Sequence, residues 1–313
     1  MLKTSIFTVA ASIALAANCA GAGDPGVSGG QFLRIGVGAK ISALGESGAA
    51  SSGAQSMFYN PAGLNDVKNT EFSFSQAQWI MDINYSNLAM AKKTKAGAFG
   101  LAVSYLSVPP IAKYDKFGTR LSDNYSAMDM AVALGYSRQS TPRAGWGLDI
   151  KYISSKLEAD AATAIAVDAG IKYAAIPGSL DLGFVAQNIG TKLKYINESD
   201  PLPLNFKFGG RYTLKLEDET DFRRNVSIFT DLNHMKDSSF YASVGADFTV
   251  RYSGGTSFSV RGGYRTDISS KDGGLAFGFG ADIKRWTIDY AYSPMGDLGK
   301  AHKISLTLKF SKN

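Results

Sequence analysis

From Glu71 to Phe310 the chain alternates between apolar and polar residues with a period of two. The last such segment, KISLTLKF at 303–310, places Ile304, Leu306, Leu308 and Phe310 on one side and polar residues on the other. The segments WGLDIKY at 146–152 and WTIDYAY at 286–292 repeat the arrangement. Successive side chains of a strand point to opposite faces, so this pattern predicts β-strands with one apolar and one polar face.

The alternating segments are each about ten residues long, and Trp or Tyr often stands near their ends. Tilted strands that cross ~25 Å of hydrocarbon between aromatic girdles have this form. Fourteen segments begin near Phe72, Tyr85, Ala98, Met128, Trp146, Ala164, Leu180, Leu204, Val226, Phe240, Phe258, Leu275, Trp286 and Lys303. Connections are mostly short after even-numbered segments and longer after odd-numbered ones. We therefore predict an all-β fold, a transmembrane antiparallel β-barrel of about 14 strands occupying residues 71–313.

The N-terminus has the features of an export signal. Lys3 precedes the apolar stretch 6–17, and the small residues of 20–22 offer a cleavage site, so residues 1–22 are predicted to be a signal peptide. A membrane anchor or a lipoprotein signal at Cys19 are the alternatives. Later apolar runs are shorter than the roughly 18 residues of a membrane helix. Export and a barrel together predict the outer membrane of a Gram-negative-type bacterium.

Residues 23–70 precede the barrel and lack its alternation. They are rich in Gly, Ala and Ser, and Asn60 followed by Pro61, Ala62 and Gly63 indicates a capped helix start. A flexible periplasmic linker is one interpretation of this segment. The other, which its apolar content favours, is a hatch or plug inside the barrel.

Candidate chemistry is sparse. If cleavage follows Ala22, the mature chain has no cysteine, which excludes disulfides and thiolate metal sites. The two histidines are His234 and His302, and a solvated loop is the preferred interpretation for His234, although Asp231 is near it in sequence. We predict no enzyme, no cofactor and no metal site. The net charge of +6 is scattered, which suits lipid headgroups better than nucleic acid.

The polar faces of the strands place charged residues toward the lumen, and their mixed signs predict paired side chains and not a charge-selective pore. The residues predicted to face the lumen are Asp149, Lys151, Asp181, Arg211, Asp247, Arg261, Arg265 and Asp289.

Several stretches resemble the outer-membrane family that includes PorV and PorQ of type IX secretion, which is related to the FadL fatty-acid transporter fold. They are GQFLRIGVGA at 30–39, FYNPAGL at 58–64, QNIG at 187–190, PLPL at 201–204, DYAYSP at 289–294, GDLG at 296–299 and HKISL at 302–306. The resemblance implies a 14-stranded barrel. It also implies that the turn at Asn60, Pro61 and Ala62 belongs to the hatch that fills the lumen in FadL-like proteins.

Two functional hypotheses follow from the resemblance. The first is a PorV-like role in protein export, with secreted cargo or secretion-machinery proteins as partners at the connections 108–125 and 190–203. The second is a FadL-like channel for small hydrophobic molecules, which requires an apolar pocket inside the barrel near Asn60.

Overall fold

A computed structural model describes residues 27–216, 222–237, 240–267 and 274–310, so the predicted signal peptide at 1–22 lies outside the described residues. The described part of the chain begins with short helical elements. They are a 3-10 helix at Gln31–Arg34, the α-helix α1 at Ala39–Ala43, and 3-10 helices at Ala54–Phe58 and Pro61–Asp66. Strands account for most of the rest of the described chain.

Fourteen strands close into an antiparallel barrel, which confirms the predicted fold and strand number. In chain order they are β1 (Thr70–Gln78), β2 (Asn84–Lys93), β3 (Ala98–Ser107), β6 (Ala127–Gln139), β7 (Ala144–Leu157), β8 (Asp160–Ile176), β9 (Leu180–Gly190), β12 (Asn205–Lys215), β13 (Phe222–Met235), β14 (Tyr241–Tyr252), β15 (Ser257–Arg265), β16 (Leu275–Ile283), β17 (Trp286–Pro294) and β18 (Lys300–Phe310). Each strand pairs with its neighbours, and β18 pairs with β1 from Phe310 opposite Thr70 to His302 opposite Gln78. Closure leaves no strand edge of the wall unpaired.

The connections define a short-turn end and a loop end of the barrel. The strand β1 begins and β18 finishes at the short-turn end, where tight connections follow β2, β6, β8, β14 and β16. Two loop-end connections contain hairpins of their own, β4 (Ile111–Tyr114) with β5 (Arg120–Tyr125) and β10 (Leu193–Lys194) with β11 (Ser199–Asp200). The β7–β8 connection at the loop end is tight, because Glu158 adopts a left-handed conformation (φ 57°). This turn starts β8 at Asp160, four residues before the predicted border.

The wall turns its apolar side chains outward. Large apolar residues at least half exposed on the strands of this surface are Leu134, Ile150, Ile165, Ile171, Phe208, Phe258, Val260, Phe277, Phe279 and Ile304. Their strand neighbours point into the lumen, where Asp149, Asp168, Lys207 and Ser305 are buried. A continuous apolar exterior of this extent indicates contact with lipid or with protein.

No helix among the described residues is long and apolar enough to cross a membrane.

His234 corrects one expectation from the sequence. It lies in β13 and not in a solvated loop, opposite the exposed Phe206 and therefore on the outer surface. Its ring stacks on Phe240 with ring centroids 4.1 Å apart. Asp231 is buried on the opposite, inward face, so the two residues form no catalytic pair.

Closure of the barrel can be tested by crosslinking. Ser73 on β1 lies opposite Thr307 on β18, and their hydroxyl oxygens are 2.9 Å apart. We expect the double variant Ser73→Cys, Thr307→Cys to form an intramolecular disulfide on mild oxidation, detected by mass spectrometry of a tryptic digest. The control pair Ser73→Cys, Thr287→Cys should not crosslink, since Thr287 lies one strand further away, beyond disulfide reach. Crosslinking of the control alone would contradict this register.

Candidate functional site: a plugged lumen with two cavities

Residues 27–69 occupy the lumen from one end to the other, and we call them the plug. At the loop end the Gly29 amide donates to the carbonyl of Pro201 (2.9 Å). In the middle, the amides of Gly48 and Ala49 donate to the Asp231 carboxylate at 2.7 and 2.9 Å. Near the start of β1 the Ala54 amide donates to Glu71 (2.8 Å). The plug is therefore bound to the wall along its whole length.

Inward-facing glycines let the plug backbone approach the wall. A Cβ at Gly147 would overlap Ala62 N, and one at Gly183 would overlap the Ala49 carbonyl oxygen. On the opposite wall, Gly245 and Gly263 face the Leu44 backbone in the same way. The glycine content of this chain therefore serves close approach between plug and wall as well as turns.

The predicted hatch residues Asn60, Pro61, Ala62 and Gly63 are buried where the plug meets strands β7 to β9. The Asn60 side chain accepts from the Ala62 amide (3.0 Å), so it caps the 3-10 helix that begins at Pro61. Its amide group donates to the Ala49 carbonyl (2.7 Å) and to the Ile171 carbonyl of β8 (3.1 Å). One side chain thus joins two parts of the plug to the barrel wall.

Some of the residues predicted to face the lumen take part in two polar networks, each of which joins side chains from three strands. Arg261 on β15 donates to Asp247 on β14 (2.8 Å) and to Asp289 on β17 (2.6 Å), and all three are buried. On the other wall, Lys151 donates to Asp168 (2.7 Å) and to the side chain of Asn188 (2.6 Å). Removing one member of such a buried pair costs about 3–5 kcal/mol, because the other charge stays buried.

The remaining predicted lumen residues lie in separate places. Arg211 pairs with Asp181 near the short-turn end. Asp149 is buried directly opposite Asp168 in the strand register. Arg265 pairs with Asp267 (2.6 Å) near the loop end and reaches the plug.

Arg265 and Lys303 meet the plug at Glu46, a residue that the sequence analysis missed. The Glu46 carboxylate pairs with Arg265 and lies 3.8 Å from the Lys303 amine. Lys303 also donates to the Gly36 carbonyl (2.7 Å) and to Ser42 (2.8 Å). Glu46 is the single charged residue between Ile41 and Asn65. This isolated charge was the signal in the sequence that could have pointed to it.

Glu46 stands between two cavities. The central cavity is about 70 Å³ and is lined by polar wall residues such as Lys151, Asp168 and Gln187 together with Phe58 and Tyr59. It lies next to the Asn60 turn, as the channel hypothesis requires, but its volume suits water and not an aromatic ring.

The second cavity, which we call the loop-end cavity, is about 240 Å³. Its apolar lining includes Ile35, Trp79, Leu275, Pro294 and Met295. Arg34, Ile35 and Glu46 line both cavities, so they form the partition between them. Lys303 lies over the Trp79 ring at 5.0 Å, at the cationic edge of the loop-end cavity.

Burial changes the ionisation of plug residues. It raises the pKa of the Tyr59 phenol well above its ordinary value, which keeps the hydroxyl protonated to donate to the Val37 carbonyl (2.7 Å). Burial, and next the nearby Arg261, lower the pKa of the Lys40 amine. Burial would raise the pKa of Asp66, but Lys172 and Ser52 outweigh it and hold that pKa below its ordinary value.

In the part of the chain that the structure describes, no group of three or more His, Cys, Asp or Glu side chains could hold a metal ion.

Comparison with known proteins identifies the fold. No protein-family model matches the sequence, and no curated protein matches it either. Among solved structures, the toluene transporter TbuX of Ralstonia pickettii has a TM-score of 0.58 at 14% identity, covering 88% of this chain and 98% of that one. The toluene transporter TodX of Pseudomonas putida has a TM-score of 0.58 at 12% identity, covering 87% and 96%. The monoaromatic hydrocarbon channel CymD has a TM-score of 0.53 at 11% identity, covering 89% and 98%.

The fold is therefore the one that these two toluene transporters and this hydrocarbon channel share. At identities this low the likeness establishes the architecture alone.

The glycine fit can be tested at Gly147. We expect Gly147→Ala to displace the Pro61–Ala62 backbone and to destabilise the plug by about 1–3 kcal/mol. Hydrogen exchange of the amides at 48–66 should speed up while the strand amides remain protected. Gly262→Ala is the control, because nothing lies within 4 Å of a Cβ placed there. Unchanged exchange in Gly147→Ala would show that the plug does not approach the wall so closely.

The Asp66 contact predicts an acid-sensitive anchor. Because the folded pKa of Asp66 is below the ordinary value of 3.8, its stabilising effect is present above that value and lost as pH falls through the folded pKa. We expect hydrogen exchange of the plug residues around Asp66 to increase in this acid range. Asp66→Asn should show fast exchange already at neutral pH and lose this pH dependence, and an unchanged pH profile in the variant would assign the effect elsewhere.

Proposed function

We propose that this protein lies in the outer membrane of a Gram-negative-type bacterium and carries small hydrophobic molecules across it. The loop-end cavity carries the proposal, because its 240 Å³ exceed the roughly 150 Å³ of an apolar cavity that holds benzene. Its apolar lining and the cationic edge at Lys303 suit a single aromatic ring, since cations favour the faces of such rings.

Two further observations support this function. The apolar exterior of the barrel matches a hydrocarbon environment, with short turns expected at the periplasmic side. The structures of similar fold carry names of toluene transporters and of a monoaromatic hydrocarbon channel, which makes toluene the natural first probe.

Passage of a molecule through the barrel depends on the plug. A molecule in the loop-end cavity meets the partition of Arg34, Ile35 and Glu46 before it reaches the central cavity. Because Glu46 is held by Arg265 and Lys303, passage requires that this part of the plug shift from its ion pairs. We therefore propose transport with plug movement and not free diffusion through an open pore.

The cavity can be filled without touching the plug. Ala276 on β16 lines the loop-end cavity, whereas Ala281 lies on the outer face of the same strand, opposite Phe258. We expect Ala276→Phe to reduce uptake of radiolabelled toluene by intact cells several-fold, and the matched control Ala281→Phe to leave it unchanged. Equal uptake by both variants and the wild type would contradict a route through this cavity.

The PorV-like export role remains the second hypothesis, and the β4–β5 hairpin is the feature that favours it. Ile111, Tyr114 and Phe117 are 53%, 61% and 80% exposed there, which suits a protein partner. Deleting the gene and quantifying surface and secreted proteins separates the hypotheses. Selective loss of a set of proteins that share a C-terminal domain would support export, whereas an unchanged set with reduced toluene uptake would support the channel.

A further inference from the structure

The short-turn end of the barrel is strongly basic. Exposed cationic residues there are Lys68, Lys92, Lys95, Arg138, Arg143, Lys215, Arg223, Arg251, Lys284, Arg285 and Lys309, and we call this set the basic collar. They come from turns and strand ends around the whole circumference. No other part of the described surface has so many exposed cationic residues.

The carboxylates described at this end are already engaged. Asp66 pairs with Lys172, Asp181 with Arg211, and Asp282 with Lys309 (3.5 Å). Glu71 accepts the Ala54 amide of the plug. Four acidic residues between β12 and β13 lie outside the described residues, and the ten collar cations other than Lys309 outnumber them.

The loop end differs. Among the described residues, seven exposed carboxylates there, at Asp82, Asp123, Glu158, Asp160, Glu198, Asp200 and Asp297, match seven exposed cations at Lys116, Arg120, Lys156, Lys192, Lys194, Lys236 and Lys300. The positive charge of the molecule is therefore concentrated at one end and is not a property of the whole surface.

Aromatic rings on the outer wall lie beside the collar in three clusters. Phe99, Tyr136 and Trp146 form the first, with centroid distances of 5.1 and 5.6 Å. The second joins Phe72 and Phe310 (5.9 Å), and the third joins Tyr252 with Phe222 and Phe258 at 6.2 and 6.3 Å. Such rings occupy the interface between hydrocarbon and headgroups.

Cations alternate with these rings at the same level of the wall. Lys92 on β2 lies opposite Phe99, and Arg138 on β6 lies opposite Trp146. Lys284 and Arg285 directly precede the exposed Trp286. Long cationic side chains next to an aromatic girdle extend along the wall into the headgroup layer.

We propose that the basic collar binds anionic phospholipid headgroups in the leaflet that surrounds the short-turn end. The phosphate group is the recognised chemistry, and the aromatic clusters set the depth at which the cations meet it. An acidic protein would require cations directed away from the membrane, whereas Lys92 and Arg138 stand on the lipid-facing side of the wall. The inference rests on the proposed membrane location and is independent of what the lumen carries.

The test compares two variants of equal charge change in lipid nanodiscs. The collar variant carries Lys92→Gln, Arg138→Gln, Arg251→Gln and Lys284→Gln, and the control carries Lys116→Gln, Lys192→Gln, Lys194→Gln and Lys300→Gln at the loop end. Each protein is placed in phosphatidylcholine discs with increasing phosphatidylglycerol, and the relative binding constant of the two lipids is measured with spin-labelled lipids. Each cation near a charged surface changes such a constant roughly five-fold, less where salt screens it.

We expect wild type and control to prefer phosphatidylglycerol and the collar variant to lose this preference by roughly ten-fold or more. The wild-type preference should also fall as salt is raised. This measurement tests the electrostatic origin of the preference even if the collar variant does not fold. Equal preference in wild type and collar variant, or a preference insensitive to salt, would overturn the inference.

Toluene uptake measured on the same variants should not change. Loss of lipid preference with normal uptake therefore supports both proposals, whereas absent wild-type uptake with intact lipid preference contradicts the transport function alone.

Discussion

The lumen is organised around one ionic contact between plug and wall. Glu46 brings a negative charge into a segment otherwise free of charge between Ile41 and Asn65, and Arg265 and Lys303 approach it from two strands of the wall. Buried charges are stable only when paired, so neither partner can leave alone without a large cost. Gly36 packs directly against the Glu46 side chain, which fixes the plug backbone at the same point. The contact thereby holds the plug and divides the interior into two cavities.

The wall supplies the complementary constraint. Closing fourteen strands produces an inner face whose polar side chains have limited access to water, and the networks at Arg261 and Lys151 pair several of them across the wall. Inward-facing glycines such as Gly183 and Gly245 let the plug backbone come close to the wall. The outer face has no such requirement and is apolar.

Period-two alternation predicted the barrel well because a wall between lipid and a polar lumen imposes it on every strand. The predicted borders at Ala98, Leu180 and Trp286 agree with the structure, where short turns limit how far each strand can extend, and the border at Leu275 agrees as well. The border of β8 was wrong because the tight turn at Glu158 needs no Gly or Pro that would mark it. Alternation says nothing about which strand meets which part of the plug, so the Glu46–Arg265 pair, joining residues far apart in sequence, could not be derived. The hatch residues were singled out by local cap chemistry, and the cavities that flank them depend on packing alone.

The path of the plug has a consequence for assembly. Its first described residues lie at the loop end, its last at the short-turn end, and the barrel wall surrounds everything between. The helical turns of the plug are wider than an extended chain, so threading them through a finished cylinder would require their unfolding. We expect instead that the strands gather around the plug as an open, curved sheet. The junction of β1 with β18 then forms last, so the most N-terminal part of the described chain acts as the template on which the most C-terminal strand completes the wall.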